Sequence, residues 1–206
     1  MTAFFTHYYK KNKLIRLASA RLFNAFLLGG FSLFFAAYTL AAALNALNIK
    51  AADLVPTEDA YALSAAFDLN FGPVVEEALN KGVPLTFLIE FQVVSPRKYW
   101  FDDEVVTTST RVVLSYHALS RQYLINRESH QQSFSSLSEA KEELSRLHDW
   151  VVLEKALLKK GEAYNAALRI RLDHSQLPKP LQVEALGSES WEMVSQRYRW
   201  TPVFTF

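Results

Sequence analysis

Tyr61-Ala62-Leu63-Ser64-Ala65-Ala66-Phe67-Asp68-Leu69-Asn70-Phe71 is the stretch that decides the fold class. Every odd position in it is apolar, while Ser64, Asp68 and Asn70 fall on the other side. A period of two is the signature of a half-buried strand. Gly72-Pro73 closes the strand and opens a short helix, because proline is tolerated in a first helical turn. Glu76 and Glu77 near its start and Lys81 at its end suit the helix dipole. Gly82 stops the helix, with Pro84 just beyond. Leu85, Phe87, Ile89, Phe91 and Val93 then alternate up to Pro96 and predict a second strand.

The same period continues downstream. Val106, Thr108, Thr110, Val112, Leu114 and Tyr116 oppose Ser109, Arg111 and Ser115, and Arg121 to Asn126 reads as the hairpin partner. Ser136 with Glu139 forms a capping box for a second helix, whose buried side would carry Leu137, Ala140, Leu144 and Leu147. Trp150 to Glu154 and Tyr164 to Leu172 predict two more strands, turning near Lys160-Gly161. In the latter strand Arg169, Arg171 and Asp173 face away from the apolar side. Pro178 and Pro180 predict an extended loop, after which Trp191 to Val194 and the Trp200 region complete the core. The expected body is α+β and mainly β: a sandwich-like antiparallel sheet of about six to eight strands with two short helices.

The 206 residues contain no cysteine, which excludes disulfides, thiol nucleophiles and cysteine-ligated metals. Charge is uneven. Residues 1–21 carry Lys10, Lys11, Lys13, Arg16 and Arg21 and no acid, while the remaining 17 basic residues face 21 acidic ones. An acidic body argues against nucleic acid as a partner, since backbone-driven binding needs a basic face. Between Arg21 and Lys50 no charged residue occurs for 28 positions. As a helix that run would be about 42 Å long, enough to cross a hydrocarbon core of about 30 Å. The sequence thus predicts a basic cytoplasmic terminus over 1–21 and a transmembrane anchor or signal peptide over 22–46. A single exported body over 47–206 follows. Small residues at Ala41-Ala42-Ala43 and Leu44-Asn45-Ala46 suit a signal peptidase, whereas the length of the apolar run suits a retained anchor. The expected location is the inner membrane, single-pass with the body in the periplasm, or the periplasm itself if the segment is cleaved.

Several blocks resemble a known family. They are Ala78-Leu79 with Gly82-Val83-Pro84-Leu85, Arg97 with Tyr99-Trp100-Phe101-Asp102, Leu114-Ser115-Tyr116, and Arg121-Gln122-Tyr123. Arg171-Leu172-Asp173, Gln176-Leu177-Pro178-Lys179-Pro180-Leu181-Gln182 and Trp191 with Ser195 follow in order. Together they resemble the bacterial family called domain of unknown function 4390, over roughly residues 47–200, the Leu-Pro-Lys-Pro block being the most specific. The resemblance implies an amino-terminal signal or anchor and carries no catalytic assignment. Members are often encoded beside a membrane sensor kinase of the nitrogen-regulation type, which implies a membrane protein partner.

Four constellations bear on chemistry. Asp102, Asp103 and Glu104 follow Tyr99-Trp100-Phe101. Carboxylates beside an aromatic platform suit a glycan, general acid–base work or a hard cation, whereas a plain reading makes them a charged turn with the aromatics packed on the sheet. Ser115, His117 and Asp173 supply the types of a nucleophilic triad, without the Gly-x-Ser-x-Gly elbow. His117, His130, His148 and His174 show no metal-ligand spacing. Finally, Arg169, Arg171, Asp173 and Lys179 gather around the proline loop as a stiff basic edge that suits a partner or lipid headgroups, or else as ordinary ion pairs. The expectation is therefore a non-enzymatic, membrane-associated interaction module of the cell envelope, with no catalytic residue, metal or cofactor. Its expected contacts are Tyr99, Trp100, Asp102, Asp103, Arg171, Asp173 and Lys179. A lipid- or glycan-binding module is the alternative, and an envelope hydrolase a third class.

Overall fold

Strand β2 (Ala60–Asn70) lies between β1 (Ala46–Pro56) and β7 (Arg146–Glu154) in a three-stranded antiparallel sheet. Its odd residues Tyr61, Leu63, Ala65, Phe67 and Leu69 are all buried, as the alternation predicts. The computed structural model describes residues 46–128 and 130–205. The expected basic terminus and apolar segment therefore lie outside the described residues, apart from the segment's last position, Ala46. Among the described residues, no helix is long and apolar enough to cross a membrane.

A second, six-stranded sheet holds β3 (Leu85–Ser95), β4 (Asp103–His117), β5 (Gln122–Arg127), β6 (His130–Phe134), β8 (Asn165–Leu172) and β9 (Tyr198–Trp200). Its order is β6-β5-β4-β3-β8-β9, and every pairing is antiparallel. The register places Phe87 between Val112 and Leu172, and Ile89 between Thr110 and Ile170. These side chains form the inner face, which joins Tyr61, Leu63, Leu79, Trp191 and Met193 in one core. Phe91 meets Trp150 of β7 edge-on at 6.5 Å, across the two sheets. Each fully buried aromatic or leucine side chain contributes about 1.5–3 kcal/mol.

Helix α1 (Pro73–Asn80) buries Val75, Ala78 and Leu79. It ends where Gly82 takes φ of 90°, a left-handed conformation that only glycine adopts freely, so that Gly82 N–H donates to the Leu79 carbonyl at 2.8 Å. Helix α2 (Leu137–Leu144) is capped as expected: Glu139 N–H donates to Ser136 Oγ at 3.2 Å, while the Glu139 carboxylate accepts from the Ser135 hydroxyl at 2.9 Å.

The mainly β, antiparallel expectation stands, but the strands divide between two sheets and the details change. Nine strands and three α-helices occur among the described residues. The third helix, α3 (Lys179–Ala185), begins where the prolines predict an extended loop. Pro178 is extended and precedes the helix, whereas Pro180 occupies the first turn, where its missing N–H has no partner to lose. Gln182 Nε2 donates to the Leu177 carbonyl at 2.7 Å and ties the turn down. Leu147 is buried, yet it belongs to β7, because α2 stops at Leu144. Asp103 and Glu104 are not turn residues: they pair with Ser95 and Val94 as the start of β4.

Candidate functional site

The outward side of the six-stranded sheet is set by the same alternation that builds its core. On β3, Leu88, Glu90 and Gln92 point away from Phe87, Ile89 and Phe91. The register gives each of them defined neighbours. Leu88 sits between Arg111 of β4 and Arg171 of β8, Glu90 between Ser109 and Arg169, and Gln92 between Thr107 and Ala167. Leu88 is only 6% exposed although it lies on the outer face. The flanking arginine stems explain this, since their methylenes cover apolar surface while the guanidinium heads stay wet.

A charge cluster forms at the Leu85 end of that face. Glu90 Oε1 lies 3.4 Å from Arg171 Nη2, and Oε2 lies 3.8 Å from Arg169 Nε. Asp173 Oδ2 lies 3.5 Å from Arg111 Nε. Its Oδ1 accepts from the Ser175 hydroxyl at 2.6 Å and from the Ser175 N–H at 3.2 Å. The Asp173 side chain is only 8% exposed. Burial pushes its carboxyl up, but the Ser175 hydroxyl and N–H, Arg111 and the nearby Arg171 together bring it below its ordinary value. This end is held rather than free.

Toward the middle the face opens into a groove of about 560 Å³, lined by Glu90, Gln92, Thr107, Ser109, Arg169 and Arg197. A second hollow of about 490 Å³ shares Gln92, Ala167 and Arg197 with it and adds Asn165, Arg199 and Asp102. Ala167 lies between Gln92 of β3 and Arg199 of β9, and its short side chain leaves the floor open. Arg197 and Arg199 are exposed, and neither makes an ion pair or a side-chain hydrogen bond among the described residues. Five arginines, Arg111, Arg169, Arg171, Arg197 and Arg199, thus share one face of an acidic body. A planar guanidinium with its fork of donors is suited to carboxylate or phosphate.

At the far end, β3 and β4 are joined by Pro96–Asp102. Tyr99 is 87% exposed, Trp100 76% and Phe101 86%, so these aromatics do not pack on the sheet. The neck beneath them is pinned. Arg97 pairs with the Asp103 carboxylate, and Arg97 N–H donates to Asp102 Oδ1 at 3.3 Å. Lys98 Nζ stands 5.5 Å from the centre of the Tyr99 ring.

The seven residues singled out from sequence therefore do not form one site. Tyr99, Trp100 and Asp102 belong to the hairpin tip, Asp103 to the first position of β4 beneath it, and Arg171 and Asp173 to the charge cluster. The Asp173 N–H donates to the Thr86 carbonyl at 2.7 Å, which places that cluster at the opposite end of β3 from the tip. Lys179 is exposed at the start of α3. Ser115, His117 and Asp173 are not joined: His117 Nδ1 contacts Ser120 Oγ at 3.0 Å, and Asp173 is engaged by Arg111 and Ser175. His174 Nε2 contacts the Trp191 carbonyl at 2.8 Å. His130 and His148 share the wall of a separate cleft with Asp149. Among the described residues, no three histidine or carboxylate side chains are grouped to hold a metal ion. Glu90, Arg111, Arg197 and Arg199 were not among the sequence-derived contacts. The parity of Glu90 and Arg111 was readable, but the neighbours of β3 were not.

These features define a class, a mainly antiparallel β domain with an arginine-lined outer sheet face and an exposed aromatic hairpin. The chain belongs to the family described as Domain of unknown function (DUF4390), whose model matches residues 45–201. No curated protein matches the chain, and no solved structure does.

Proposed function

We propose that this chain is a membrane-associated interaction module of the cell envelope, without catalysis of its own, whose outer sheet face receives an acidic segment of a partner protein. The observation that carries this reading is the arginine face, in which Arg197 and Arg199 border an open groove with no carboxylate partner among the described residues. Attraction between such a face and an acidic segment raises the association rate and weakens with salt. The apolar stretch after Arg21 supports an inner-membrane location with the body on the periplasmic side. That members of the family it resembles are often encoded beside a membrane sensor kinase supports a protein of that kind as the partner.

Affinity capture from detergent-solubilised membranes with the full chain tests this. The wild type is expected to return a specific membrane protein whose recovery falls at least about tenfold in the Arg197→Glu/Arg199→Glu variant, because charge reversal turns attraction into like-charge repulsion and tenfold needs only about 1.4 kcal/mol. Equal recovery by both proteins, or nothing above background in repeated low-salt captures, overturns the reading.

A further inference from the structure

We infer that the β3–β4 tip is a lipid-contacting wedge that seats Tyr99, Trp100 and Phe101 in the interfacial zone of a bilayer. The inference is independent of the arginine face and shares with the proposed function only its placement at a membrane.

Three consecutive large apolar side chains at 76–87% exposure run against ordinary surface composition, and such patches mark interaction sites. Their types narrow the occupant. Tyrosine and tryptophan gather at membrane–water interfaces, where an apolar ring and a polar edge are both satisfied, and phenylalanine reaches into the acyl boundary. Geometry narrows it further. Successive side chains in a tight connection diverge, so one protein pocket would take one or two of them. A bilayer offers no pocket and accepts all three at once.

The polar groups of the loop agree with this placement. Lys98 makes no ion pair among the described residues and stands beside Tyr99, where its ammonium can meet headgroup phosphate. The acids sit lower: Asp103 is paired by Arg97, and Asp102 accepts the Arg97 N–H. That pinned neck holds the aromatics out before any contact is made, so little ordering entropy is lost on docking. Ala46 pairs with Asn70 next to Phe71, and Phe71 stacks on Phe87 at 5.8 Å. The described body thus begins at the Leu85 end of β3, whereas the tip follows Ser95 at the other end. The bilayer that holds the chain and a second, facing bilayer are therefore tested in separate arms.

Because the chain has no cysteine, a single introduced one can be labelled cleanly. The full chain carrying Phe101→Cys, labelled with an environment-sensitive fluorophore, is reconstituted into phosphatidylethanolamine–phosphatidylglycerol vesicles. Nitroxide lipid is placed either in those vesicles or in a second, protein-free population. Gln131→Cys, on the exposed edge strand β6, is the reference position. Quenching at position 101 of about twofold or more beyond position 131, in either arm, is expected for a wedge seated about 5–10 Å into the interface. It should fall to the reference level when Tyr99→Ser and Trp100→Ser are added. Quenching at 101 no greater than at 131 in both arms, or quenching that survives the serine changes, overturns the inference. A concentration-dependent blue shift at 101 without vesicles would overturn it too, by assigning the tip to self-association.

Discussion

Strand β3 ends in two regions built on opposite principles. At its Leu85 end, Asp173, Arg111, Arg171 and Glu90 are tied to one another and to Ser175, and the Asp173 side chain is 8% exposed. At its Ser95 end, three aromatic rings stand in solvent above a neck closed by Arg97 and Asp103. Charges, which water would welcome, are partly buried and partnered. Rings, which water disfavours, are left out. The first arrangement stabilises a fold, while the second gains only when something other than water covers it.

Four variants sharpen or break this contrast. Phe91→Ala, in the inner face beneath both regions, should lower stability by about 3–5 kcal/mol in urea unfolding, because it empties a fully buried site against Trp150 and Trp200. Asp173→Ala should lower it by about 1–3 kcal/mol, by stranding the Ser175 donors and loosening Arg111. Arg171→Ala should cost about 0.2–1 kcal/mol, since its pair with Glu90 is about one-third exposed. The triple change Tyr99→Ser/Trp100→Ser/Phe101→Ser should leave the unfolding midpoint within about 0.5 kcal/mol of wild type. A large loss of stability there would mean that the rings do structural work, and the contrast would fail.

Acid sharpens the contrast from another side. The Asp173 carboxyl is held below its ordinary value in the folded chain, so its stabilisation is fully present above the unfolded value of about 3.9 and is lost as pH falls through the lower folded value. The midpoint gap between wild type and Asp173→Asn in urea should therefore hold from pH 7 to about 5 and close below about pH 4. A gap that widened on acidification would reverse the assignment.

The alternation of residues 61–71 and 85–93 made β2 and β3 legible, and Gly72-Pro73 with Gly82 bounded α1. What escaped has physical causes. Strand β6, His-Gln-Gln-Ser-Phe, is a polar edge with no apolar face to betray it. Helix α3 escaped because a proline pair reads as extended unless the second proline is known to sit in a first turn. At the site, the shared side of Arg169, Arg171 and Asp173 was readable from spacing within one strand. That Arg111 and Glu90 complete the cluster depends on β4 and β8 flanking β3, and strand order is fixed by long-range packing that local periodicity does not encode. Tyr99 and Trp100 were singled out as contacts from sequence, but whether the run packs on the sheet or stands in solvent stays hidden until the hairpin around it is placed.

The claim on which the account turns is that the groove between Ser109 and Arg197 is a docking surface. A photo-crosslinker on Ser109→Cys, compared with the same label on Gln131→Cys in the full chain in native membranes, reads this directly. A discrete protein adduct from position 109 that is absent from position 131, and lost when Arg197 and Arg199 are changed to glutamate, is the predicted result. No adduct at 109, or one that persists after the charge reversal, would contradict it.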